Sequence, residues 1–67
     1  MNRENALDII YSCKTLAECQ RAWEARSAYL REYPDDEEIF EAGESISMTE
    51  EALLLIQERE RELVKTS

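Results

Sequence analysis

Apolar residues recur three or four positions apart in three stretches of the chain, and this spacing is typical of one face of an α-helix. In the first stretch they are Ala6, Ile9, Ile10 and Cys13. The pattern predicts a first helix over about residues 3–13, with Asn2 as its N-cap because a side-chain oxygen there can accept from a free backbone amide.

The second stretch repeats every seven residues with alternating steps of three and four. Its members are Leu16, Cys19, Trp23, Arg26, Leu30 and Tyr33. Thr15 and Glu18 match a capping box at its start. Pro34 lacks an amide donor and clashes with a continuing helical backbone, so it ends the segment. The sequence therefore predicts a second helix over about residues 16–32.

The third stretch keeps the same seven-residue repeat over a greater length. Its members are Ile39, Ala42, Ile46, Thr49, Leu53, Ile56, Glu60 and Leu63. Asp35, followed by Glu38 three residues later, predicts a capped helix over about 36–64. A second interpretation places a break near 45–48, because Ser47 to Glu50 also match a capping box and Gly43 weakens the helix before it.

These elements predict an all-α fold, a small three-helix bundle in a single domain spanning residues 1–67, or four helices if the break is present. The second and third helices form a hairpin at Tyr33-Pro34, and the first covers the open side. Leu, Ile, Val and Phe account for only 14 of 67 residues, and the formal charge is −8. This composition lies just above that of disordered chains, so we expect a marginal fold that a partner helps to complete.

The composition argues against most catalytic chemistry. The chain has no histidine, which excludes Ser-His-Asp and Cys-His catalysis within it. A zinc site would need Cys13 and Cys19 with carboxylates alone, and Asp35 to Glu38 lack the glycine and the distal glutamate of a calcium loop. We therefore expect no enzyme activity, no cofactor and no metal site.

Two cysteines six residues apart, with no signal-like start, indicate a cytoplasmic protein with reduced thiols. Cys13 and Cys19 are expected to be small packing residues, with a disulfide between them as the alternative. The longest aliphatic run, residues 53–56, is far too short to span a bilayer. Because acids outnumber bases by sixteen to eight, we expect neither direct nucleic-acid binding nor adsorption to anionic membranes.

The net charge lies in one acidic block, residues 32–51, which holds nine acids and no base. The other 47 residues hold seven acids and eight bases. The block is either a solvated helix start, which the helix dipole favours, or a docking face for a basic partner protein. The acidic interaction candidates are Asp35, Asp36, Glu37, Glu38, Glu41 and Glu44.

Large apolar side chains form the second group of interaction candidates: Trp23, Tyr29, Tyr33, Leu53, Leu54 and Ile56. They either fill the core of a small bundle or anchor an interface. Four successive apolar residues at 53–56 cover the whole circumference of a helix, which favours burial on more than one side. This pattern predicts self-association, with a two-fold dimer as the commonest form.

Residues 22–40 resemble the join between two tetratricopeptide-type repeats. Ala22 and Pro34 match the family's spacing of a small residue and a proline, and Phe40 lies near the aromatic that opens the next repeat. The chain departs from the pattern at Arg26, where the family has an aromatic residue, and at Tyr29, where the family has a small residue. The resemblance implies a helical-hairpin module for protein interactions, and it carries over no binding residues.

The sequence thus predicts a non-enzymatic, acidic protein-interaction module that self-associates and docks a partner through an apolar helical face. Two other hypotheses stay open. The chain could be a decoy that mimics the phosphates of DNA and blocks a nucleic-acid-binding protein, or a structural subunit of a larger complex.

Overall fold

Three helices make up the fold. The computed structural model describes the backbone of residues 2–66 and the side chains of residues 2–64. Helix α1 spans Arg3–Tyr11, α2 spans Leu16–Glu32 and α3 spans Glu37–Thr66. Each helix packs against the other two, and the described residues contain no strand. The predicted all-α, three-helix bundle is confirmed.

The first two helices begin where the sequence predicts. The Asn2 side chain accepts a hydrogen bond from the Asn5 amide at 2.8 Å, and the Thr15 hydroxyl accepts one from the Glu18 amide at 3.1 Å. Helix α1 ends two residues earlier than predicted, because Ser12 closes it with its backbone amide bonded to the Asp8 carbonyl. Cys13 therefore lies in the connection to α2, where it is still buried.

The turn between α2 and α3 positions Asp36 as the cap of α3. The Ile39 amide donates to the Asp36 carboxylate at 3.2 Å, and the Phe40 amide donates to the Asp36 carbonyl at 3.1 Å. The predicted N-cap, Asp35, is wrong by one residue. The cause is the turn itself, in which the Asp36 amide bonds back to the Tyr33 carbonyl and delays the start of the helix.

Helix α3 is continuous, as the first interpretation predicts, and the alternative break near 45–48 is absent. The Thr49 hydroxyl donates to the Ser45 carbonyl one turn earlier, at 3.0 Å, and so bridges the point where the alternative places Ser47 as the cap of a new helix. Ile46 is fully buried on the inner side of the same turn. Packing of this side chain holds the helix where local sequence signals alone would allow it to end.

The core is small and rich in alanine. Its fully buried large side chains are Ile10, Ile39, Ile46 and Cys19. Ala6, Ala22 and Ala42 lie between them, also buried. Small side chains let the helices approach closely, so a few isoleucines suffice to fill the space between them.

Helix α3 is much longer than the bundle that it packs against. Its 30 residues span about 45 Å, whereas the 17 residues of α2 span about 25 Å. The molecule measures 50 × 17 × 15 Å, and its radius of gyration of 14.6 Å exceeds the roughly 11 Å of a compact domain of this length. Among the side chains of α3 that the structure describes, Leu53 is the last that packs against the core, and residues 54–64 are all exposed. We call residues 54–66 the overhang.

Replacing Asp36 with alanine is expected to lower the melting temperature by about 5 °C, since a capping carboxylate and its helix-start contacts are lost. Hydrogen bonding from Arg3 lowers the pKa of Asp36. The stabilisation by this carboxylate is therefore present above the ordinary carboxyl pKa near 4 and is lost as the pH falls through the lower native value.

The matched control is Asp35→Ala, which removes the same charge from an exposed neighbouring residue. Thermal unfolding at pH 7 and at pH 2 measures both variants. A melting temperature that drops equally for the two variants, or a difference between them that does not shrink from pH 7 to pH 2, would contradict the assignment of Asp36 as the cap.

Candidate functional site

One face of α3 combines acidic and apolar side chains and lies opposite the core. Its members follow one another in alternating steps of four and three, so they share one side of the helix. We call this set the outer stripe: Glu37, Glu41, Glu44, Met48, Glu51, Leu55 and Glu58. All seven are exposed. Met48 is 67% exposed and Leu55 62%, values that are high for large apolar side chains.

Phe40 extends the outer stripe toward α2 and is 62% exposed. Arg26 holds this position, because its guanidinium Nε and Nη2 donate to the Phe40 carbonyl at 3.2 and 3.1 Å. The same guanidinium carbon lies 4.9 Å from the Phe40 ring centroid and 5.4 Å from that of Trp23. Arg26 therefore fixes the backbone at Phe40, and the Phe40 ring extends from it into solvent.

The acidic candidates divide into two groups. Asp36 and Glu38 are engaged within the chain, since Arg3 donates from Nε to the Asp36 carboxylate at 3.0 Å and from Nη2 to Glu38. Asp35, Glu37, Glu41 and Glu44 are exposed, and the last three belong to the outer stripe. The ion pairs tie α1 to the start of α3, so part of the acidic block serves the fold.

The aromatic candidates are likewise distributed between core and surface. Tyr29 is buried, and its ring lies 4.8 Å from that of Tyr33, centroid to centroid. Burial raises the pKa of Tyr29, and a hydrogen bond to the Asp36 carboxylate adds to the effect. Tyr33 is half-exposed, and Trp23 is partly buried with its indole donating to Glu50. Tyr29 is therefore a core residue and offers no docking surface.

The aliphatic candidates lie where α3 leaves the bundle. Leu53 packs partly against the core, whereas Leu54 and Ile56 are exposed in the overhang. Phe40, Met48 and Leu55 were not among the predicted interaction residues. The sequence signal for them is their position on the outer side of the third helix, opposite the Ile39–Ala42–Ile46 face.

Within the part of the chain that the structure describes, no three acidic or cysteine side chains converge as metal ligands. The groove between α2 and α3, lined by Trp23, Arg26, Phe40 and Gly43, is a shallow surface feature of about 350 Å³. No helix among residues 2–66 is both long and apolar enough to cross a membrane.

The two cysteines are free thiols in the core. Burial raises the pKa of Cys19 to about 11, and the adjacent Cys13 thiol adds to this shift. Cys13 itself donates to the Ile10 carbonyl at 3.2 Å. Because the thiolate is the reactive form, Cys19 is held in its unreactive state at neutral pH, as expected of a packing residue.

Comparison with protein-family models, with curated proteins and with solved structures finds no match to this chain. The resemblance of residues 22–40 to tetratricopeptide-type repeats therefore stays a prediction.

Proposed function

We propose that this chain is a small, non-enzymatic protein-interaction module that works in the cytoplasm and docks a basic partner protein on the outer stripe. The observation that carries the proposal is the exposure of Phe40, Met48 and Leu55 among glutamates on a helix face that the fold itself does not use.

Each component of the outer stripe has a separate physical role. Covering three large apolar side chains removes apolar area from water, and this supplies affinity. The surrounding carboxylates attract a basic partner, increase the rate of encounter and fix its orientation. The best complement is a basic amphipathic segment, whose apolar side chains contact Met48 and Leu55 while its lysines or arginines lie near Glu44 and Glu51.

Site-specific photocrosslinking in the source cell tests the proposal. A photoreactive amino acid in place of Met48 is expected to trap one basic protein, and the same amino acid in place of Gln20, exposed on α2, is expected not to trap it. Absence of a product specific to position 48 would overturn the docking face.

The trapped protein, once purified, permits a quantitative comparison. Met48→Ser is expected to weaken binding about 10-fold, in line with the loss of one buried apolar side chain. Glu44→Gln should mainly slow association at low salt, whereas Glu24→Gln on α2 is the charge-matched control and should leave binding unchanged. A decoy for a nucleic-acid-binding protein would instead give binding that Met48→Ser leaves intact and that DNA competes away.

A further inference from the structure

The overhang has an inner side that continues the core-facing side of α3. Ile56 follows Leu53 by three residues on that side. It is 54% exposed, whereas Ile39, Ala42 and Ile46 are buried and Leu53 is partly buried. Leu54 and Leu55 are also exposed but lie on other sides of the helix, Leu55 in the outer stripe, so Ile56 carries the continuation of the inner side. The hydrophobic face of α3 thus extends beyond the end of α2, which leaves an amphipathic helical segment uncovered.

We propose that a second copy of this chain covers the overhang, with the two overhangs paired antiparallel about a two-fold axis. The inference rests on the proposed role as an interaction module, but it uses the side of α3 away from the outer stripe.

The exposed area of the molecule agrees with the requirement of a dimer. The chain exposes 5415 Å², whereas a compact protein of 7.9 kDa exposes about 4,400 Å². The excess is about 1,000 Å². A stable interface of standard size buries about 800 Å² on each partner. Burial of an interface of this size would therefore bring each copy close to the surface area expected of its mass.

The distribution of charge selects the overhang as the place where two copies can meet. The acidic block of residues 32–51 holds nine acids and no base, so the blocks of two copies repel one another. The overhang holds three glutamates, two arginines and one lysine, and it is neutral. A second copy can therefore approach the overhang without the electrostatic penalty that it meets at the acidic block.

The position of the bundle fixes the direction of pairing. In a parallel pair, both bundles would lie at the same end and bring the two acidic blocks side by side. The inner side of each overhang also faces the side of α3 on which α1 and α2 pack, so the two parallel bundles would compete for the same space. An antiparallel pair places the bundles at opposite ends, and each overhang then covers the other.

Mass measurement of the purified full-length chain tests the pairing without any partner protein. Light scattering and sedimentation are expected to give twice the chain mass at high concentration. Ile56→Arg should weaken the dimer at least 100-fold, because an arginine replaces an apolar side chain at two symmetric positions of the interface. Met48→Arg is the matched control, with the same charge change at an exposed apolar site of α3, and should leave the dimer intact.

Small-angle scattering distinguishes the direction of pairing. Two molecules 50 Å long that overlap along an overhang of about 20 Å give a particle about 80 Å long, whereas a parallel pair is about 50 Å long. A 50 Å dimer would overturn the antiparallel arrangement.

A monomer at every concentration, a dimer that survives Ile56→Arg, or a dimer that dissociates with Met48→Arg would overturn the pairing through the overhang. Circular dichroism of the diluted Ile56→Arg variant checks that its bundle remains helical. Because these measurements use the chain alone, a negative result leaves the docking of a basic partner on the outer stripe to its own crosslinking test.

Discussion

Replacing Ile46 with alanine is expected to cost about 3 to 4 kcal/mol of unfolding free energy, the range found for large-to-small changes at fully buried sites. Ile46 is fully buried on the inner side of α3. A domain of 67 residues has a total stability of only about 3 to 10 kcal/mol. The substitution should therefore remove about a third of the stability at the upper end of this range and all of it at the lower end.

Chemical denaturation followed by circular dichroism measures this change at a protein concentration where the chain is monomeric. The control is Met48→Ala, two residues along the same helix and exposed, for which we expect a change below about 0.5 kcal/mol. If the two variants unfolded at the same denaturant concentration, the packing at Ile46 could not be what holds α3 against the bundle.

Local signals in the sequence predict most of the fold. Asn2 and Thr15 cap the first two helices as predicted, and Pro34 follows the end of the second, because these effects depend on the residue itself and on its immediate neighbours. The cap of α3 depends instead on the path of the turn. Asp35 and Asp36 are chemically identical, and only the hydrogen bond from the Asp36 amide to Tyr33 decides between them.

Tertiary packing decides the features that local signals leave open. The capping box at residues 47–50 and the helix-weakening Gly43 both favour a break, yet α3 is continuous. Ile46 is buried against the bundle, and Gly43 is buried where Arg26 and Trp23 cross the helix. A one-dimensional pattern cannot contain these contacts, because their partners are distant in the chain: Arg26 and Trp23 lie 17 and 20 positions before Gly43.

The candidate site is only partly predictable for a similar reason. The sequence identifies which side chains are apolar or charged, and the structure decides which of them are buried in the core. Tyr29 is buried, whereas Phe40 is exposed on the outer side of α3. The sequence does predict that α3 is longer than α2, and this difference in length exposes residues 54–56. The exposure of this run can therefore be predicted from the helix lengths, whereas the exposure of each aromatic side chain cannot.

Gly43 is expected to tolerate no large side chain, and Gly43→Leu should cost about 2 kcal/mol or more through overpacking. A Cβ at this position would lie 2.7 Å from Nε of Arg26 and 3.1 Å from Cζ3 of Trp23. Leucine extends further and must displace the Trp23 ring. Replacing glycine also removes its unfavourable helix propensity. This gain of about 1 kcal/mol is too small to offset the cost of displacing the ring.

The smaller change Gly43→Ala distinguishes the effect of the Arg26 contact from that of the Trp23 contact. Alanine gains about 1 kcal/mol in helix propensity, but its Cβ must push aside the flexible Arg26 guanidinium, which then loses its two hydrogen bonds to the Phe40 carbonyl. We expect these effects to cancel approximately. In an Arg26→Ala background there is no guanidinium to displace, so the same substitution should raise the unfolding free energy by about 0.5 to 1 kcal/mol. A double-mutant cycle by chemical denaturation measures the difference. Equal effects of Gly43→Ala in the two backgrounds would show that the position of the Arg26 guanidinium does not depend on the absence of a side chain at residue 43. Another contact would then have to fix the position of Phe40.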